Sequence, residues 1–419
     1  MKPYATSLVT VGYACENCPV TPLTRALTWS TAAVSMAKGV LFSVSALFFT
    51  TVIGLSPATV GLGLTVAGGA GMAAAFGAGY LSDRIGAARV LLGATVVQAV
   101  ALAAYCCART SMVFVLIACL AVGAQGAQRT AQVTLVARDV TGADRVRTRA
   151  RLRVVNNVFV GLGSAVAAVA LGLGTAAAYL TAMLVAAVFV LGSALPLRAL
   201  LTLPAPSVTP AAGGIGRSPL RDRRYLATAG LNGLITIQFG LLTVGVPLWV
   251  TLHTRAPAPI VAGLLVLNTT VVALGQVRAA RRIRDVPSAG RAVFGATLLL
   301  LLACILYAGA ALGGPVVAVA VLVAAVLAHS GGEIVAEAGG WELSFELADT
   351  RNPGAYQGVS QTGVAIGTML APAVVTATAI THGFPGWLLL GGLFVAAGAG
   401  TRAVSRAGAP ARVKVGVFP

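Results

Sequence analysis

The chain has 419 residues, 58% of them hydrophobic and 10% charged, with a mean hydropathy of +0.90. A water-soluble globular protein carries about 25% charged residues, so that class is excluded. A formal net charge of +18 leaves nucleic acid, anionic lipid or membrane topology as explanations for the basic excess.

Residues 1–24 form a polar leader without the apolar core of a signal peptide. Its Cys15 and Cys18 make a single CxxC; with no second pair and the three histidines (His253, His329, His382) in separate segments, no metal site is expected. Apolar stretches of about 20 residues, enough to cross the hydrocarbon core, then fall near 27–53, 59–81, 88–107, 111–136, 154–173 and 176–195. A second set falls near 226–251, 258–277, 291–312, 314–337, 358–380 and 384–401. The expected fold class is therefore all-α: a polytopic membrane protein of twelve transmembrane helices in two pseudosymmetric six-helix bundles. The bundles are expected over 25–196 and 225–402, joined by a Pro/Gly-rich linker over 197–224 and followed by a tail over 403–419.

Span one carries Lys38 near mid-depth, and an intramembrane charge of this kind normally faces a cavity or a partner. Span two is glycine-rich, as tight helix contacts require, and leads into Gly79-Tyr-Leu-Ser-Asp83-Arg84-Ile-Gly86-Ala-Ala-Arg89. Span four repeats polar residues at helical spacing, Gln125, Gln128, Arg129 and Gln132, giving one polar face. The basic run Arg138 to Arg153 is read as an inner loop before span five. Asn232 and Gln238 of span seven, Asn268 of span eight and Gln361 of span eleven offer neutral hydrogen bonding. Span ten carries His329, Glu333 and Glu337 at steps of four, a second polar face.

With the N-terminus inside, Arg109 and Arg255 fall outside, Lys38 and Arg129 fall within spans, and the remaining Lys and Arg are cytoplasmic. That distribution follows the positive-inside rule, so the charge sets orientation and no nucleic-acid partner is expected. Both termini are expected in the cytoplasm, with the chain a multi-pass monomer in the inner (plasma) membrane and the lipid bilayer and a small molecule as its partners.

The loop after span two resembles the signature of the major facilitator superfamily, and the span number and linker position match that family's plan. The resemblance implies that Gly79 lets helices approach and that Asp83 and Arg84 pin the loop against helix ends, with Gly86 and Arg89 completing the motif. It also implies that spans one, four, seven and ten line a central cavity. Within the superfamily the chain is most similar to drug/proton antiporters, through Gln125-Gly126, the glycines of Asn156 to Ser164, and Gly332-Glu333 with Tyr356-Gln357-Gly358. Val122 stands where those exporters have an arginine, and the fifth span lacks their proline.

The expected function is proton-coupled efflux of a small organic compound by alternating access, with no cofactor besides the proton. A metabolite importer or facilitator on the same fold and a non-transporting membrane scaffold are the alternatives; an enzyme is not expected, since no intramembrane His/Asp/Glu cluster has triad or metal spacing. Lys38, Gln125, Gln128, Arg129, Gln132, Asn232, Gln238 and Gln361 are the expected cavity residues. His329, Glu333, Glu337 and Arg129 are the expected proton-coupling and gating residues. Arg129 and Glu333 stand 333 minus 129, or 204, residues apart, near the offset between the halves, and are expected to face each other as a pair. The charges imply neutral or anionic substrates in preference to dications.

Overall fold

The computed structural model describes residues 21–202 and 216–407. The Cys15–Cys18 pair, the centre of the linker and the end of the tail lie outside these residues. The described residues form helices and connecting turns, with no strand among them.

The first bundle comprises α1 (Pro22–Leu47), α2 (Pro57–Ile85), α3 (Ala87–Ala104), α4 (Ser111–Asp139), α5 (Asp144–Leu173) and α6 (Ala176–Gly192). The second comprises α7 (Arg223–His253), α8 (Ile260–Ala280), α9 (Val286–Gly309), α10 (Pro315–Glu346), α11 (Pro353–Val375) and α12 (Thr381–Arg406). Ten helical stretches are long and apolar enough to cross a membrane, and one of them, Pro353–Arg406, runs for 54 residues. Gly383, at φ 60, kinks that stretch just inside α12, so it supplies two spans, α11 and α12. With the less apolar α1, twelve spans result, as the sequence implies. Large apolar side chains such as Phe42, Leu62, Met112, Val188 and Leu389 stay exposed on the outer surface, a belt that lipid would cover.

Local chemistry starts and stops these helices. Thr21 and Ser56 cap α1 and α2 through the amides of Thr24 and Thr59, each with proline at the first helical position, where no amide hydrogen is needed. Asp285 and Ser288 form a reciprocal capping box at the start of α9. Gly86, at φ 93, makes the tight reversal from α2 to α3 that a side chain would strain.

Two departures from the sequence reading matter for the site. Helix α5 begins at Asp144, ten residues before the expected span. Asp144 favours a helix start because its charge meets the positive end of the helix, and it also accepts a 2.9 Å hydrogen bond from Arg147. Helix α10 likewise runs on to Glu346 rather than ending near 337. Charged stretches read as loops thus become helical extensions at one end of the bundle, called here the latch end.

The halves join there. Helix α2 packs along α11, α5 against α8 and α10, and α4 against α11, whereas α1 and α7 share no extended contact among the described residues. At the opposite end α1 closes in a wide π turn, Phe48–Val52, and α7 is interrupted by another, Leu241–Gly245.

Candidate functional site: the latch end and the central cavity

The first junction is the signature loop. Asp83 Oδ1 accepts a hydrogen bond from the Gly354 amide at 2.8 Å, and Oδ2 accepts from the Ala355 amide at 2.7 Å. These are free amides of the first turn of α11, where a carboxylate is favoured by both hydrogen bonding and the helix dipole. Gly79 sits against Gly354, and a Cβ there would come within 2.9 Å of the Gly358 Cα. No larger residue fits between the two backbones. Asp83 and Gly79 are therefore brought to α11. Arg84 is exposed and makes no hydrogen bond or ion pair among the described residues, while Arg89 only returns to the Ile85 carbonyl at 3.1 Å.

The linker's end is fastened beside this latch. The Arg217 amide donates to Asp349 Oδ2 at 3.0 Å, and Asn352 Nδ2 donates to the Arg217 carbonyl at 3.0 Å. Bidentate hydrogen bonds from Arg351 hold the Asp349 carboxyl well below the usual carboxylate range.

The second junction is built on the extended α5. Arg145, Arg149 and Arg153 recur at four-residue steps, so they share one helix face. That face meets α10 in three successive contacts. Arg145 pairs with Glu346 at 3.3 Å, Arg149 lies over the Trp341 ring at 5.3 Å, and Arg153 pairs with Glu333 at 2.7 Å and Glu337 at 3.2 Å. Arg153 also stacks over Phe239 of α7 at 4.9 Å, a favourable cation–π contact. Glu333 is buried, with only 5% of its side chain exposed. Its second oxygen accepts from Asn268 Nδ2 at 3.1 Å, and the same nitrogen lies 3.0 Å from Ser330 Oγ. One guanidinium from the first half thus holds two carboxylates of the second.

This geometry corrects the expected pairing of Arg129 with Glu333. Arg129 makes no ion pair among the described residues, because Arg153 reaches Glu333 first from the helical extension of α5. Arg129 is exposed, yet it lies within electrostatic range of Lys38, Arg153 and Glu337, so its exposure is to the gap between the halves. Lys38, half-buried, has no ion-pair partner among the described residues. The sequence signal for Arg153 is the four-residue spacing of Arg145, Arg149 and Arg153, masked by a polar composition that resembles a loop.

The remaining candidates divide. Gln132 Nε2 donates to Thr31 Oγ1 of α1 at 2.8 Å, tying α4 to α1. Gln128, Gln238 and Gln361 are buried, Gln125 and Asn232 half-buried, and the Asn232 Oδ1 lies against Gly340 of α10. His329 is fully buried; its Nδ1 shares a 3.2 Å hydrogen bond with the Tyr307 hydroxyl, and its Nε2 has no partner among the described residues.

Two bundles of six membrane helices, joined by a carboxylate latch and a charged seam, have the plan of a membrane transporter. The family model of the Major Facilitator Superfamily matches residues 27–372, and the chain belongs to that superfamily. Among solved structures it is similar to the human organic anion transporter MFSD10 (TETRAN), at 17% identity over 92% of this chain and 100% of that one, with a TM-score of 0.73. It is similar as well to the superfamily transporter FucP in the outward conformation, at 12% identity over 92% and 99% of the two chains, TM-score 0.70. A bacterial homologue of the iron transporter ferroportin in an outward-facing state matches at 13% identity over 91% and 98%, TM-score 0.66. No curated protein matches the chain by sequence.

Proposed function

We propose that the chain is a secondary active transporter of the inner membrane that exports a small organic compound in exchange for protons by alternating access. The latch end is cytoplasmic in this reading, both termini lie inside, and the conformation described is outward-facing. The observation that carries it is the Arg153 clamp on Glu333 and Glu337, which crosses from one half to the other beside the Asp83 latch. The lack of extended contact between α1 and α7 among the described residues supports an opening at the other end, and the similar FucP and ferroportin-homologue structures are in outward states.

The coupling follows from charge. With both carboxylates ionised, Arg153 is held and the cytoplasmic mouth stays shut. A proton arriving from outside neutralises Glu333, ends its ion pair with Arg153 and leaves Asn268 as its remaining hydrogen-bond partner. The mouth then opens, and the proton leaves to the cytoplasm as the cycle resets. His329, one turn further from the mouth, is the group placed to pass a proton toward Glu333.

The test is flux in proteoliposomes with an imposed pH gradient. Glu333→Gln, which mimics the protonated acid, is expected to abolish gradient-driven accumulation while retaining substrate exchange. Unchanged gradient-driven transport by this variant would remove Glu333 from the coupling.

A further inference from the structure

The interhelical hydrogen bonds fix how the cations are stacked in the gap. Ser35 Oγ bonds Asn156 Oδ1 at 3.1 Å, so these residues of the parallel helices α1 and α5 share a level. Arg153 lies three residues nearer the latch and Lys38 three residues farther from it, about 4.5 Å on either side at 1.5 Å per residue. The Gln132–Thr31 bond places antiparallel α4 on the same scale, and Arg129 then falls between Arg153 and Lys38. Gln125, one turn beyond Arg129, reaches the level of Lys38.

Arg149, Arg153, Arg129 and Lys38 therefore rise from the mouth into the gap as a ladder of cations. The carboxylates facing it, Glu333 and Glu337, are both taken by Arg153. Four cations against two carboxylates leave a surplus of two positive charges. Its upper members, Lys38 and Arg129, have no ion pair among the described residues; Arg149, at the mouth, has none either but lies over the Trp341 ring. An uncompensated intramembrane charge is costly and marks a ligand path. A guanidinium and an ammonium converging from two helices suit the planar oxygens of a carboxylate or the spread charge of a sulfonate or phosphate.

We infer that this cavity takes organic anions, with the acidic group held between Lys38 of α1 and Arg129 of α4. The inference rests on the transporter reading for its purpose, but it concerns binding and is tested apart from flux. The anion sits directly above the Arg153 clamp and competes with Glu333 and Glu337 for positive charge, so occupancy and the state of the mouth are linked.

The experiment uses the full chain in nanodiscs, with native cysteines replaced and Gln125→Cys as reporter. Its modification is followed with the anionic 2-sulfonatoethyl methanethiosulfonate and the cationic 2-(trimethylammonio)ethyl methanethiosulfonate. The anionic reagent is expected to react faster, by about tenfold after correction for the intrinsic reactivities of the two reagents. Lys38→Gln or Arg129→Gln should each reduce that preference, and Lys38→Arg should restore it. Benzoate, benzenesulfonate or phenyl phosphate should slow modification, whereas benzyltrimethylammonium should not. Preference for the cationic reagent, a ratio unmoved by both charge removals, or equal protection by the organic cation would overturn the inference. Protection by anions without pH-driven flux would sustain it and remove the transport reading instead; flux without anion preference would do the reverse.

Discussion

Arg153 concentrates the chemistry of the seam in one side chain. It pairs with two carboxylates, and the buried one, Glu333, has no other ion-pair partner among the described residues, so its removal should cost more than its own contacts suggest. Losing one member of a buried ion-pair cluster costs roughly 3–5 kcal/mol, and the 24% exposure of Arg153 places this case at the lower end. Arg153→Ala should therefore lower the thermal midpoint clearly, and adding Glu333→Gln and Glu337→Gln should recover most of the loss. A triple variant as unstable as the single one would show that the guanidinium acts through packing on Phe239. Asp349 behaves differently. Its carboxyl is held well below its ordinary value of about 4 by Arg351, so its contribution is present above that range and is lost only in stronger acid. Between about pH 5 and pH 8 the linker anchor should not titrate, and mild-acid effects on transport should survive Asp349→Asn. Abolition of the pH response by that variant would place the sensor at the anchor. At this scale the sequence revealed residue types and faces but not partners. Glu333 and Glu337 could be read as one face of α10, whereas which arginine reaches them depends on where α5 begins, a matter of ten residues at a helix end.

The helices show why the latch was legible and the clamp was not. The signature loop is a local pattern in which Gly79 permits close approach and Asp83 follows one turn later, and both find α11. That seam gives a direct prediction. The amides of Gly354 and Ala355 are held by a carboxylate from the other half, and removing charge-assisted hydrogen bonds of about 1.5–3 kcal/mol should expose them. Asp83→Ala should speed amide hydrogen exchange in residues 353–358 by about tenfold or more, and Gly79→Val, which forces the backbones apart, should do likewise. Exchange unchanged in both variants would mean that α11 is capped without help from α2. The clamp, by contrast, joins two helical extensions whose polar composition resembles that of loops. Hydropathy finds the part of a helix that lies in lipid and is blind to the part that continues past it. The π turns at Phe48–Val52 and Leu241–Gly245 were equally hidden, because they follow from packing rather than composition.

For the whole molecule, the two halves are joined at one end by the Asp83 latch and the Arg153 clamp, the closed mouth of the proposed cycle. The twelve-span plan was readable because apolar length dictates it, and the family model matches over residues 27–372. In the proposed cycle, protonation of the second half's carboxylates, Glu333 foremost, releases the mouth. Spin labels at Arg89 and Arg282, exposed positions at the latch end of the first and second halves, report that mouth directly by pulsed electron–electron distance measurement in nanodiscs. At alkaline pH the distribution should be short and narrow. In mild acid a longer-distance population should appear, and Glu333→Gln should show that population at both pH values. A distribution that ignores pH and is identical in Glu333→Gln and the parent protein would contradict the claim.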